Sequence, residues 1–165
     1  MKFENFTNNF LFSANVLLLC LGWLLAFYSY PRLPQAVPLW VNLFGEQPLL
    51  MKKNLFFFVY PLAQTVFCLA FWLAARFSSL FRFVPHKGEL VSPEQENALF
   101  KLRKEFIYLA LIFFNLIFIH LQKSIIFIAH GIRDGVNRVY FFSILAFLIL
   151  LIPLYRLRLR LLASK

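Results

Sequence analysis

The sequence predicts an all-α integral membrane protein, a single bundle of four transmembrane helices with one unusual apolar loop. Four stretches of the 165 residues contain no Asp, Glu, Lys or Arg, namely 5–31, 54–75, 106–122 and 139–155. A hydrocarbon core about 30 Å thick needs roughly 20 mainly apolar residues at 1.5 Å each. Hydrophobic residues make up 61% of the chain, against about 45–50% in soluble domains. We therefore expect one membrane domain over residues 1–165.

The first half of the chain contains two of these helices. We place the first at about residues 10–30, because Pro31, Pro34 and Pro38 then exclude helix and favour extended or turn conformations. Its apolar stretch is too long for the core of a signal peptide, so we expect it to remain uncleaved. We place the second helix at about 54–75, with a kink at Pro61.

The second half contains the other two helices. Ser92 suits an N-cap, Pro93 suits the first helical position, and Gln95 completes a capping box. With no breaker before Gly131, the third helix is predicted over about 93–130. That length is about 57 Å, longer than the bilayer needs, so its first turns should project into the cytoplasm. The fourth helix is predicted at about 139–155.

The basic residues predict the orientation of the chain. A net charge of +10 would suggest nucleic acid for a soluble protein, but these cations lie outside the apolar stretches, where they set topology and contact anionic lipid. Eleven fall on one predicted side and five on the other. The eleven are Lys2, Arg76, Arg82, Lys87, Lys101, Arg103, Lys104, Arg156, Arg158, Arg160 and Lys165; the five are Arg32, Lys52, Lys53, Arg133 and Arg138. Both termini are therefore expected in the cytoplasm. We expect the lipid bilayer as a partner, and no nucleic acid.

Two cysteines, Cys20 and Cys68, lie inside apolar stretches. They could sit at similar depths on neighbouring helices and form a disulfide. We favour buried free thiols that act as small hydrophobic side chains.

The loop 31–53 is more apolar than an ordinary exposed loop. It contains Leu33, Val37, Leu39, Trp40, Val41, Leu43, Phe44, Leu49, Leu50 and Met51. Such a segment should lie in the membrane interface or fold back on the bundle, with Trp40 at headgroup depth. We favour an interfacial anchor and cap over a binding surface.

This loop also has regularly spaced motif residues. They are Leu33, Pro34, Val37, Pro38, Trp40, Asn42 and Gly45, with Lys53 before the second helix. The segment resembles the SdpI-type membrane proteins, whose domain of unknown function has an LPxxIPxHxNxxGxxD…K motif between its first two helices. The family commonly has His at the position of Trp40 and Asp at that of Pro48. Any metal or proton role of those two positions is therefore not expected here.

The resemblance implies a small protein of the bacterial inner membrane. The best-understood relatives confer immunity to a secreted peptide toxin and take part in membrane signalling. Most relatives have no assigned role, so the resemblance implies architecture more than activity.

Polar residues inside the membrane are candidates for function because lipid penalises them. The candidates are Gln64 on the second helix with Asn115, His120, Gln122 and Lys123 on the third. One hypothesis is interhelical hydrogen bonding, typically below about 1 kcal/mol for each bond. The other is an outward cationic pocket lined by His120, Gln122 and Lys123 and capped by the loop. We favour the structural role.

The sequence favours no catalytic, cofactor or metal site. The predicted spans hold no Asp or Glu, and the chain has neither HExxH nor a phosphate-binding loop. We expect a non-enzymatic protein that recognises something at the outer face, such as a peptide or another membrane protein. The alternative is an accessory subunit of a larger complex, packed through faces rich in the 23 Phe residues. A small channel or transporter is disfavoured by the four helices and the absence of an acidic relay.

Overall fold

The structure is a computed structural model that describes residues 2–38, 40–41, 49–77 and 93–163. Within these residues the α-helices are α1 (Lys2–Ser29), α2 (Val59–Arg76), α3 (Pro93–Ala129) and α4 (Arg138–Ala163). Two short strands between α1 and α2, β1 (Ala36–Pro38) and β2 (Leu50–Lys52), pair antiparallel. Four helical segments are long and apolar enough to cross a membrane. The predicted all-α membrane bundle is confirmed.

Three helices, α1, α2 and α3, pack against one another. Leu11, Ala75 and Tyr108 form a buried cluster at one end of the bundle, which we call the terminal end. Ala26 and Ile126 belong to a second cluster at the opposite end, where β1 and β2 lie, which we call the hairpin end. Helices α1 and α3 are therefore parallel, and α2 runs against both.

Helix α4 packs mainly against α3. The rings of Phe106 and Tyr155 are 5.0 Å apart at the terminal end, and those of Phe113 and Phe147 are 6.3 Å apart in the middle. These contacts make α4 antiparallel to α3. Only 6% of the apolar window of α4 is buried, against 33% for α3, so α4 is the peripheral helix.

The helix ends differ from the sequence-based expectations. Helix α1 begins at Lys2 and α4 continues to Ala163, because polar and basic residues outside the membrane can continue a helix that apolar residues start. Pro61 does not kink α2. It lies in the first turn, since α2 begins at Val59, and there its missing N–H breaks no interior hydrogen bond. The predicted N-cap Ser92 lies outside the described residues.

The C-terminus of α3 has a well-defined glycine cap. Gly131 has φ 66°, the left-handed conformation that glycine tolerates best. The N–H of Ile132 donates to the carbonyl of Phe127 at 2.9 Å, and that of Gly131 to the carbonyl of Ile128 at 3.0 Å. This pair of bonds is a Schellman motif, which stops α3 before the turn into α4.

Candidate functional site

The first candidate site is the hairpin end, where Lys53 holds the segment after α1. Its ammonium donates to the carbonyls of Pro31 and Leu33, each at 3.2 Å, and lies 5.0 Å from the ring centre of Tyr30. Its backbone N–H donates to the carbonyl of Gln35 at 2.7 Å. The cation of the loop motif therefore fixes the backbone of the motif itself.

Apolar residues of the same motif anchor this segment to the bundle. Leu33 and Val37 are buried against Ala26, Phe57 and Ile126. The strand pairing places Val37 opposite Met51, so one strand is held by the other and by α3. Pro34 is half-buried and Pro38 is buried. The segment therefore folds back on the bundle as a platform over the helix ends, formed by residues 31–38 and 50–53.

Beyond the platform the described chain becomes exposed and remains apolar. Trp40 is 54% exposed, and Leu49 and Leu50 are similarly exposed. The motif residues Asn42 and Gly45 lie outside the described residues. The described part of the motif thus divides into an anchored part, Leu33 to Pro38 with Lys53, and the exposed Trp40.

His130 connects the platform to α3. One of its ring nitrogens, Nδ1, lies 2.8 Å from the carbonyl of Ile126, and the other, Nε2, lies 3.1 Å from the carbonyl of Arg32. Arg32 in turn stacks on Tyr28, with 3.7 Å between the guanidinium and the ring centre. The ends of α1 and α3 are therefore tied together directly as well as through β1.

The second candidate site is a group of amide side chains buried in the middle of the bundle. Asn15 donates through Nδ2 to the carbonyls of Leu11 at 2.9 Å and Tyr108 at 3.0 Å. Asn115 donates through Nδ2 to Asn15 Oδ1 at 2.9 Å. Both asparagines are buried. Such bonds fix the register of α1 against α3 where lipid offers no competing partner.

Gln64 joins α2 to this pair. Its Nε2 donates to Asn115 Oδ1 at 2.9 Å and to the carbonyl of Leu18 at 3.2 Å. The Cys68 thiol also donates to Asn115 Oδ1, at 3.3 Å. Cys68 and Cys20 are free thiols, as we favoured from the sequence, but the prediction that both are buried is wrong, because Cys20 is exposed and Cys68 is partly buried.

Gly22 on α1 provides the space that Gln64 occupies. A Cβ at position 22 would collide with Gln64 Oε1 and would lie 3.1 Å from Gln64 Cδ. Gly22 and Ala26 are both buried. They lie four residues apart, which is the small-xxx-small spacing that lets membrane helices approach closely. We call Asn15, Gly22, Gln64 and Asn115 the amide core.

His120 does not join the amide core. It is buried on the opposite side of α3, where its ring lies 4.5 Å from that of Tyr140 on α4. Its Nε2 lies 3.3 Å from the carbonyl of Asn137. Asn137 also caps α4, because its side-chain Oδ1 accepts from the N–H of Tyr140 at 3.1 Å. His120 therefore packs α3 against the start of α4.

Gln122 and Lys123 differ in their environments. Gln122 is 1% exposed, whereas Lys123 is exposed with its ammonium 5.2 Å from the ring centre of Phe127. The alternative hypothesis of an outward pocket requires His120, Gln122 and Lys123 to converge, whereas His120 packs against α4, Gln122 is buried and Lys123 is exposed. The cavities under β2 and at the turn between α3 and α4 are lined by other residues.

These arrangements position side chains by hydrogen bonds and packing. In the part of the chain that the structure describes, no group of three or more His, Cys, Asp or Glu residues could hold a metal ion. The amide core offers neutral donors and acceptors, and the platform offers an exposed apolar surface beside cations. Both suit recognition and assembly.

Sequence reasoning missed Gly22 and the pairing of Asn15 with Asn115. A seven-residue spacing was the available signal: Asn8, Asn15, Gly22 and Ser29 recur on α1, and Tyr108, Asn115 and Gln122 on α3. Residues seven apart lie within about 20° of one another on a helix. Polar and small residues therefore face each other along the α1–α3 contact.

A scan against protein-family models, a search of curated proteins and a search of solved structures each gave no match.

Proposed function

We propose that the protein is a non-enzymatic, SdpI-like integral membrane protein that acts in recognition, immunity or signalling at the outer face of the bacterial inner membrane. The observation that carries this proposal is the platform at the hairpin end. A connection whose only task is to join two spans needs neither an anchored strand nor a lysine bonded to its backbone carbonyls. Here Lys53, Leu33 and Val37 hold the backbone, and the chain beyond presents Trp40. A fixed base beneath an exposed aromatic residue suits the binding of a peptide or of another membrane protein.

The proposal requires the hairpin end to face outward and both termini to face the cytoplasm, as the distribution of cations favours. Labelling with a membrane-impermeant maleimide tests this orientation. In a Cys20→Ala, Cys68→Ser background, Gln35→Cys should react in intact cells. Arg160→Cys, at the terminal end, should react only after the cells are permeabilised. The reverse pattern would place the platform in the cytoplasm and contradict the proposal.

Photocrosslinking in the native host tests recognition itself. A photoreactive amino acid at position 40 should give one defined adduct with a peptide or protein. Lys53→Met should abolish the adduct, because the platform loses its clamp, whereas Lys52→Met should preserve it, since Lys52 is exposed. A probe at position 157, at the terminal end, should not give the same adduct. If position 40 reacts only with lipid, or if Lys53→Met has no effect, the platform does not recognise a macromolecule.

A second candidate function is that of an accessory subunit in a larger membrane complex. The exposure of α4 favours it, because this helix uses one face for α3 and leaves the rest for lipid or for another subunit. Purification in a mild detergent separates the candidates. Stoichiometric co-purification with other subunits supports the complex, and a stable lone monomer or homodimer supports independent recognition.

A further inference from the structure

Two buried amide groups in the bundle each have an unused hydrogen-bonding atom. Gln64 is 0% exposed and Gln122 is 1% exposed. Gln64 Oε1 and Gln122 Nε2 have no hydrogen-bond partner among the described residues. A polar atom buried without a partner is costly, above all at membrane depth, where lipid supplies none. One atom is an acceptor and the other is a donor, so a single small molecule with both functions would satisfy them together.

Helix geometry predicts similar heights in the bundle for the two amides. Gln64 bonds to the carbonyl of Leu18, and its Oε1 lies against Gly22, one turn nearer the hairpin end. Gln122 follows Asn115 by seven residues, a rise of about 10 Å, and lies within about 20° of the same face of α3.

The lean of the side chains brings these amides towards each other. Helical side chains tilt towards the N-terminus of their own helix. On α3 this tilt carries the amide of Gln122 back towards the level of Gly22. On the antiparallel α2 it carries the amide of Gln64 towards the hairpin end, which is the direction of Gln122.

We propose that Gln64 and Gln122 hold one internal water molecule between α1, α2 and α3, beside Gly22. The water donates one hydrogen bond to Gln64 Oε1 and accepts one from Gln122 Nε2. Two polar partners meet the minimum for an ordered buried water. The amide of Gln64 fills the space left by the missing side chain of Gly22, so the water lies on the α3 side of Gln64 Oε1.

This water extends the amide core towards the hairpin end. Asn15 bonds to Asn115, Asn115 to Gln64, and Gln64 through the water to Gln122. The third helix is then held to the other two at two levels, one at mid-bundle and one nearer the platform.

Substitution by methionine, which keeps the length of the side chain, tests the proposal. In detergent micelles, Gln122→Met should lower the equilibrium constant for folding by about threefold to tenfold, the range measured for hydrogen bonds between membrane helices. In a Gln64→Met background the same change should have no effect, since the water has already lost one partner. Ser143→Ala, on the exposed side of α4, serves as the control and should change neither protein.

The opposite results would overturn the proposal. If the amide of Gln122 has no partner, Gln122→Met removes a buried polar group and should stabilise the bundle or leave it unchanged. If the fold-changes of the two single substitutions multiply to give the fold-change of the double variant, the two residues act independently and no water molecule links them.

Detecting the water itself distinguishes a water bridge from a direct hydrogen bond between the two amides. In lipid nanodiscs, the side-chain NH₂ of Gln122 should give an NMR cross-peak to water. Gln64→Met should remove that peak. A direct Gln122–Gln64 contact with no water peak would contradict the proposal.

Discussion

The contact between Gly22 and Gln64 is the tightest fit in the amide core. A methyl group at position 22 would collide with the Gln64 carboxamide. That carboxamide cannot turn aside freely, because its Nε2 is bonded to both Asn115 and the carbonyl of Leu18. We therefore expect Gly22→Ala to destabilise the bundle by about 1–3 kcal/mol, the usual cost of overpacking. Unfolding in mixed micelles measures the change.

The same substitution should change sign when Gln64 is shortened. In a Gln64→Ala background the collision is gone, and Ala is the better helix former by up to about 1 kcal/mol. Gly22→Ala should then be neutral or stabilising. A loss of stability as large as in the wild-type background would show that another contact at Gly22 is responsible.

Lys53 should determine the rigidity of the platform. Lys53→Met removes the bonds to the carbonyls of Pro31 and Leu33, with an expected local cost of about 1 kcal/mol. Hydrogen exchange should accelerate at the backbone N–H groups of Leu33 and residue 53, and much less in the middle of α3. Lys52→Met is the matched control, because it removes an exposed neighbouring cation. Equal exchange in the two variants would mean that β1 and β2 alone hold the segment.

At the scale of the elements, the stretches without charged residues located the helices in the sequence but did not locate the helix ends. Length and hydropathy depend only on composition, so the spans were readable from the sequence. The ends depend on local chemistry. Gly131 was visible as a breaker of α3 and ends it, whereas Pro61 was expected to kink α2 and instead lies in its first turn. A proline gives the same sequence signal in a first turn as in a helix interior.

The glycine cap of α3 should be sensitive to substitution at one glycine of the turn and not at the other. Gly131→Ala forces alanine into the left-handed conformation, at a cost of about 1–2 kcal/mol. Gly135→Ala has open space around it and should be neutral. Thermal unfolding of the two variants compares them directly. A similar loss for both would indicate that the flexibility of the turn matters more than the cap.

At the scale of the whole molecule, the sequence predicted the components of the site but not their pairing. The polar residues Asn115, His120 and Gln122 were visible on one helix, and interhelical hydrogen bonding was favoured over an outward pocket. The structure separates His120 from Asn115, because Asn115 bonds to α1 and α2 whereas His120 packs against α4. Which helix lies on which side of α3 is a property of the assembled bundle. A residue that acts by having no side chain, such as Gly22, gives almost no signal in a single sequence.

The three tryptophans should report the position of the bundle in the bilayer. Trp23 lies nine residues before Arg32 on α1, about 13 Å below the charged hairpin end, and it donates to Thr65 Oγ1 at 3.0 Å. Trp40 lies beyond the platform and is exposed. Trp72 lies one turn from Arg76 at the terminal end, 5.5 Å from its guanidinium. In variants that retain one tryptophan and replace the others by Phe, brominated lipid chains should quench Trp23 most strongly.

Aqueous iodide should give the opposite order. Added outside sealed vesicles with the platform facing outward, iodide should quench Trp40 and leave Trp23 unaffected. Trp72 should respond only when the vesicles are opened, because the bilayer separates it from the ion. Lys53→Met controls for the platform: it should change how strongly iodide quenches the Trp40 variant, because the platform is loosened, and should leave the Trp23 variant unchanged. If iodide reaches Trp23 as readily as Trp40, α1 does not cross the membrane, and the apolar surfaces of the helices must be covered by something other than lipid.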